Sequence, residues 1–363
     1  MSPVDWRELY ASNRAVIERA GGGRGDVPPA AFPSAPNPQL PPRPGPARGR
    51  PGAWDERTIT AAGRTRRALV HTPAGIQPET AVPLVCMLHG CTQDAAGFAA
   101  ATRMNDAADR HGFIAVYPQH ERDENPQGCW NWFEPQHQAR GAGQPASIAG
   151  IIRELIGTTS PWTVDTHRVF VAGLSAGGAM AAILAVTYPD LFAAVAVHSG
   201  LPYGTATSVS AAFSTMARGS GDPAARGRAA HAAMGDLARP VPSIVVHGSA
   251  DHTVAPVNGT QMLEQSMAAN RLAAPETCDF EITRPAASLH GQVGGGYPYT
   301  QSRWTDRRGA LMHELLEVEG LGHAWSGGLP GGSFTDRRGP DATDAICRFF
   351  AEATTTRHLA DGL

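Results

Sequence analysis

The 363-residue chain carries 33 acidic and 30 basic residues, a formal charge of -3, and is 42% hydrophobic, enough to bury a sizeable core. All 30 basic residues are arginine and they are scattered rather than gathered into a stripe, which argues against a nucleic-acid partner. No apolar run approaches the roughly 20 residues of a membrane span, no basic-then-apolar leader stands at the N-terminus, and five irregularly spaced cysteines form neither a disulfide scaffold nor a CxxC zinc pair.

Pro3 to Ala20 places Trp6, Leu9, Tyr10, Asn13, Val16 and Ile17 at helical spacing, with Ser2 as N-cap and Pro3 at the first helical position, so a short amphipathic helix is expected over residues 1–20. Residues 21–53 are dominated by Pro, Gly, Ala and Arg and read as a disordered linker. Its Arg24-Gly25-Asp26 tripeptide is read as chance in a Gly-rich segment. A catalytic domain is then expected over 54–363.

Arg57 to Thr60 and Arg66 to His71 flank a turn at Gly63 and predict an antiparallel hairpin. Strands are predicted at Leu84 to Leu88, Phe113 to Tyr117, Val169 to Ala172, Ala193 to Val197, Ile244 to His247 and Leu311 to Val318. Helices are predicted at Ala95 to Asp109, Pro145 to Leu155, Ala176 to Val186, Val257 to Ala269 and Asp341 to Ala353. Apolar strands alternating with helices imply an α/β class with a mostly parallel sheet covered on both faces. An Ala-, Gly- and Ser-rich segment at about 201–240 reads as a small insertion over the active-site edge.

Gly173-Leu174-Ser175-Ala176-Gly177, between an apolar strand and a small-residue helix, has the form of a nucleophile elbow. In an α/β-hydrolase fold the partners follow in the order Ser, acid, His. Asp251 is the expected acid, at the mouth of the strand Ile244 to His247; Asp222 and Asp236 have no strand before them. His323, after the strand Leu311 to Val318, is the expected base, ahead of His247 and His252 beside the acid and His290 in a Gly-rich loop. The Ala176 amide, at a helix N-terminus, and the Cys91 amide, in the turn His89-Gly90-Cys91, are expected to bind the oxyanion of acyl transfer. His89 reads as structural, because it precedes the nucleophile. Trp130 and Trp132 offer flat apolar surface for an acyl chain or aromatic acid, with Tyr203, Trp304 and Trp325 as weaker candidates. No metal or cofactor is needed by such chemistry.

Leu88-His-Gly-Cys-Thr-Gln93, Tyr117-Pro-Gln119, Gly128-Cys-Trp-Asn-Trp-Phe133, Gly173 to Gly178 and Gly322-His-Ala-Trp-Ser-Gly-Gly328 occur in this order, and with them the chain resembles the esterase family of poly(3-hydroxybutyrate) depolymerases and the related feruloyl and acetylxylan esterases. The resemblance spans about Trp54 to Ala353. It implies Ser175, Asp251 and His323 as a triad, ester hydrolysis through an acyl-enzyme, a small or oligomeric ester as the only partner, and a Cys91–Cys129 disulfide. That bridge and the family imply an extracellular protein, whereas the missing leader implies a cytoplasmic one. Secreted members usually carry a C-terminal polymer-adsorbing domain, while this sequence stops soon after the closing helix, so soluble oligomers are expected over solid polymer. A catalytically idle binding protein on the same fold is the reading from another class.

Overall fold

In this computed structural model residues 52–157 and 160–361 are described. The expected N-terminal helix and nearly all of the linker lie outside them. Twelve strands occur among the described residues: β1 (Ala53–Ala61), β2 (Arg64–Thr72), β3 (Ala81–Leu88), β4 (Ile114–Pro118), β5 (Thr163–Leu174), β6 (Ala194–His198), β7 (Ser243–Gly248), β8 (Ala287–Gln292), β9 (Pro298–Thr305), β10 (Leu311–Val318), β11 (Trp325–Ser326) and β12 (Thr335–Asp336). The helices are α1 (Ala95–Thr102), α2 (Met104–His111), α3 (Gly143–Ile156), α4 (Ala176–Thr187), α5 (Val209–Arg218), α6 (Pro223–Met234), α7 (Val257–Ala273) and α8 (Ala342–Asp361).

Ten strands form one sheet in the order β1-β2-β4-β3-β5-β6-β7-β10-β9-β8. From β4 to β10 every pairing is parallel, and the antiparallel pairs β1/β2, β2/β4, β10/β9 and β9/β8 close the two edges. The period of two along each strand divides the core. Leu84, Cys86 and Leu88 of β3 with Val169 and Val171 of β5 pack under α3 to α7. Val85 and Met87 with Phe170, Ala172 and Leu174 pack under α1, α2 and α8. Strands buried on both faces need continuous apolar runs, which is the pattern seen in β3, β5, β6 and β7. This is the α/β-hydrolase fold.

The β1–β2 turn uses Ala62 at φ 51° and Gly63 at φ 73°, the paired left-handed residues of a two-residue hairpin. The helix expected over Ala95 to Asp109 is instead two helices, a correction with a tertiary cause. Arg103 adopts φ 54°, caps α1 by donating its amide to Ala99 O and Ala100 O, and donates from its guanidinium to Asp341 and Gly327 O. The β8–β9 hairpin was not anticipated. His290 lies on β8 bonded to Thr300, not in a loop.

The 201–240 segment folds into α5 and α6, whose buried Phe213, Met216, Ala230 and Met234 join the core beside α7. Asp222 caps α6 by accepting the Ala224 amide, and Asp236 lies in a short 3-10 turn. Neither competes with Asp251 for the site.

Candidate active site

The chain turns from β5 into α4 at Ser175, whose φ of 57° and ψ of -120° no side chain adopts without strain. The neighbouring glycines have a steric reason. A Cβ on Gly173 would stand 2.3 Å from Gly177 C, and one on Gly177 would stand 2.0 Å from Leu88 O. The Ser175 amide donates to His198 O at 2.9 Å, and Ser175 O accepts the Ala179 amide at 2.9 Å, so both sides of the turn are pinned.

Asp251, at the loop after β7, is buried. Its Oδ1 accepts the amides of Thr253 and Val254, each at 2.9 Å, and its Oδ2 accepts His323 Nδ1 at 2.8 Å. Burial alone would raise this carboxyl, but the His323 charge and hydrogen bonds from His247 and His323 outweigh it and hold it well below the usual range. A carboxylate that only accepts fixes the proton on His323 Nδ1 and leaves Nε2 as the basic nitrogen. The loops that carry Asp251 and His323 are stitched together by Ala250 N to Leu321 O at 3.0 Å and Gly320 N to Ser249 Oγ at 2.9 Å. Ser175 and His323 share no hydrogen bond in this arrangement, and such contacts commonly tighten only with substrate in place.

The segment after β3 reaches the nucleophile at Gly90, where a Cβ would stand 3.5 Å from Ser175 Cβ. The backbone amides of Cys91 and Ala176 make no bond to a backbone carbonyl. A disulfide joins Cys91 to Cys129. The same segment is held by Thr92 N to Gln127 O at 2.7 Å, Gly90 N to Gln93 Oε1 at 2.9 Å and Trp130 Nε1 to His89 O at 3.0 Å. His89 donates from Nδ1 to Gly90 O and accepts the His120 amide at Nε2; burial pushes it down to about 4, so it is neutral and structural as expected.

Behind this segment, Arg66, only 2% exposed, donates to both oxygens of Glu124, to Gln119 O and to Ser147, and its guanidinium lies 5.3 Å from the centre of the Trp130 ring. Although burial would raise Glu124, the Arg66 charge and hydrogen bond bring it down to about 2. Gln144 donates to Glu124 and accepts the Asn131 amide, tying the brace to the Trp130 segment.

The aromatic expectations need correction. Trp130 is fully buried between His89, His120 and Arg66, and Trp325 is buried against Phe98 and His198 with its Nε1 on Thr343. Trp304 is buried as well, donating to Glu281 O. These rings present no surface to a ligand. Trp132 is 5% exposed and edge-on to Phe133, while the half-buried Tyr203 donates its hydroxyl to Gln138 O.

Sequence reasoning missed His198. Its carbonyl holds the Ser175 amide and its Nε2 accepts the Ser326 amide at 3.0 Å, so one buried residue ties the nucleophile turn to the segment after His323. Burial pushes it down to about 3, which keeps Nε2 an acceptor. Phe334 was missed too; it is 43% exposed, and its ring centre lies 6.1 Å from that of His323. A long loop with no strand pattern hid it.

The family model described as Esterase PHB depolymerase matches residues 67–278. Poly(3-hydroxyalkanoate) depolymerase C of Paucimonas lemoignei is 37% identical over 255 residues, 70% of this chain and 57% of that protein. Poly(3-hydroxybutyrate) depolymerase of Ralstonia pickettii is 28% identical over 77% of this chain and 57% of its own length. A probable acetylxylan esterase A of Aspergillus fumigatus is 32% identical over 50% of each. The chain thus spans 50% to 57% of the length of these three relatives. Among solved structures, an acetyl xylan esterase from Aspergillus awamori superposes with a TM-score of 0.65 at 22% identity, over 83% of this chain and 100% of that one. At that identity the likeness speaks for the fold alone. The family match covers more than half of the sequence and contains residues 88–93, Ser175 and Asp251, and the chain belongs to the esterase PHB depolymerase family.

Proposed function

We propose that the protein hydrolyses carboxylic esters with Ser175 as nucleophile, His323 as base and Asp251 as the group that orients it. The observation that carries this is the buried Asp251–His323 hydrogen bond at 2.8 Å, in loops that leave the same end of the parallel sheet as the strained, glycine-flanked Ser175. His323 Nε2 takes the Ser175 proton as Oγ attacks the carbonyl carbon, and the carbonyl π pair moves to oxygen. The Cys91 and Ala176 amides donate to that oxyanion. Collapse breaks the bond to the alcohol oxygen, which leaves with the proton from His323. Water then attacks the acyl-enzyme with His323 as base again, releasing the acid and restoring Ser175.

Short hydroxyalkanoate oligomers are the substrates this reading favours, because two proteins named as depolymerases of such polyesters match over 70% and 77% of this chain, one of them at 37% identity. A feruloyl or acetylxylan ester is the alternative, supported by relatives bearing those names whose matches cover 36% to 67% of this chain. Parallel assays on 3-hydroxybutyrate oligomers, acetylated xylan and methyl ferulate separate the two. Faster turnover of the oligomers is expected; turnover of only the carbohydrate-linked or aromatic esters would replace the first reading with the second.

A further inference from the structure

We propose that Phe334 is the specificity residue for the alcohol side of the ester, an apolar platform beside His323 on which the leaving chain lies. The inference rests on the esterase reading above. Phe334 is 43% exposed and sits at φ 50°, a backbone region disfavoured for a bulky aromatic residue. Backbone strain and a solvent-facing ring bring the fold nothing by themselves, and strained residues of this kind concentrate where a ligand is handled.

The surroundings over-determine this conformation. Phe334 O accepts the Trp325 amide at 2.7 Å, where β11 pairs with β12, and Trp325 is anchored in the core. Thr335 Oγ1 donates to Leu329 O at 2.6 Å and Gly332 O at 3.0 Å, folding the loop onto itself. On the other side, Ser333 O accepts Gln93 Nε2 at 3.0 Å, while Gln93 Oε1 accepts the Gly90 amide at 2.9 Å. The backbone that carries the ring is therefore tied both to Trp325, two residues after His323, and, through Gln93, to Gly90.

Its position selects the alcohol half of the substrate. The carbonyl oxygen must point to the Cys91 and Ala176 amides, and the leaving oxygen must face His323 to receive its proton. The Phe334 ring meets the His323 ring at 80°, so a chain leaving past His323 runs onto it. Leu329, in the same loop, is also 40% exposed. In a hydroxyalkanoate oligomer the leaving group is itself an aliphatic hydroxyacid unit, which such a surface fits.

The test is a two-way ester series with acid release followed at constant pH: methyl, butyl and hexyl acetates vary the alcohol, and methyl acetate, butyrate and hexanoate vary the acid. Phe334→Ala should lower kcat/KM for hexyl acetate by roughly tenfold, as expected from losing the cover over a few methylenes, and leave methyl acetate within about twofold. Phe334→Asn, whose side chain suits the same backbone conformation, should do the same, so a folding defect in one variant does not decide the matter. Phe334→Leu should retain part of the preference. An equal loss on all alcohols, or a change in acid-chain preference instead, would overturn the proposal. A wild type inert on every ester would overturn the esterase reading itself, a distinct result.

Discussion

Replacing both partners of the Cys91–Cys129 bridge measures how far the oxyanion segment depends on a covalent tie. The two cysteines are 38 residues apart in sequence. Closing a loop of that length removes about 13 cal/mol/K from the unfolded chain, or about 4 kcal/mol at 25 °C. A folded unit of about 300 residues has an unfolding entropy near 0.6 kcal/mol/K, so Tm should drop by about 6 °C. Activity should suffer less than stability. Trp130 Nε1 on His89 O, Thr92 N on Gln127 O and Gln93 on the Gly90 amide remain to hold the donors. A Cys91→Ser, Cys129→Ser double variant is expected to keep kcat/KM within about a hundredfold of wild type, the cost of an ångström-scale misplacement. Calorimetry without reductant and a butyrate ester assay supply both readouts. A Tm within 1 °C of wild type, or two cysteines alkylatable in the native protein without reductant, would refute the reasoning.

Acid should destabilise the protein in a defined window. His89 and His198 are held at about 4 and 3 by burial, and Asp251 and Glu124 are also depressed. Groups depressed in the folded state contribute fully above their unfolded values and lose that contribution as pH falls. Urea midpoints should therefore be flat above about pH 6.5 and fall steadily toward pH 3; a maximum near pH 4 would contradict the assignment. Gly177→Ala drives a methyl to 2.0 Å from Leu88 O, and is expected to cost about 1–3 kcal/mol in stability and most of the activity, read by Tm and ester turnover. His198→Phe removes the acceptor for Ser326 N and should lower kcat at least tenfold with KM little changed, while His198→Gln, which can still accept, should recover part of it.

The strand-to-helix turn at Ser175, the strand ladder and the residues Asp251 and His323, which the fold joins by a hydrogen bond, were readable because each rests on local pattern: apolar runs, small residues at a turn, and loop order along the chain. What was not readable depends on tertiary contacts. Arg103 breaks a helix because Asp341 and Gly327, far along the sequence, hold its side chain. Trp130 and Trp325 looked like ligand surfaces from composition, yet their neighbours bury them. The β8–β9 hairpin alternates weakly and is half exposed, so it lacked a periodic signal. His198 acts through its carbonyl and one ring nitrogen, and no motif announces that.

The most direct test of the account is covalent trapping at Ser175. Treated with diethyl p-nitrophenyl phosphate, the wild type should gain one diethylphosphoryl group, located by peptide mass spectrometry to Ser175, and lose butyrate ester hydrolysis in proportion. Ser175→Ala, folded by the same Tm criterion, should neither be labelled nor hydrolyse the ester. Labelling at another residue, or hydrolysis by Ser175→Ala at the wild-type rate, would contradict the central claim.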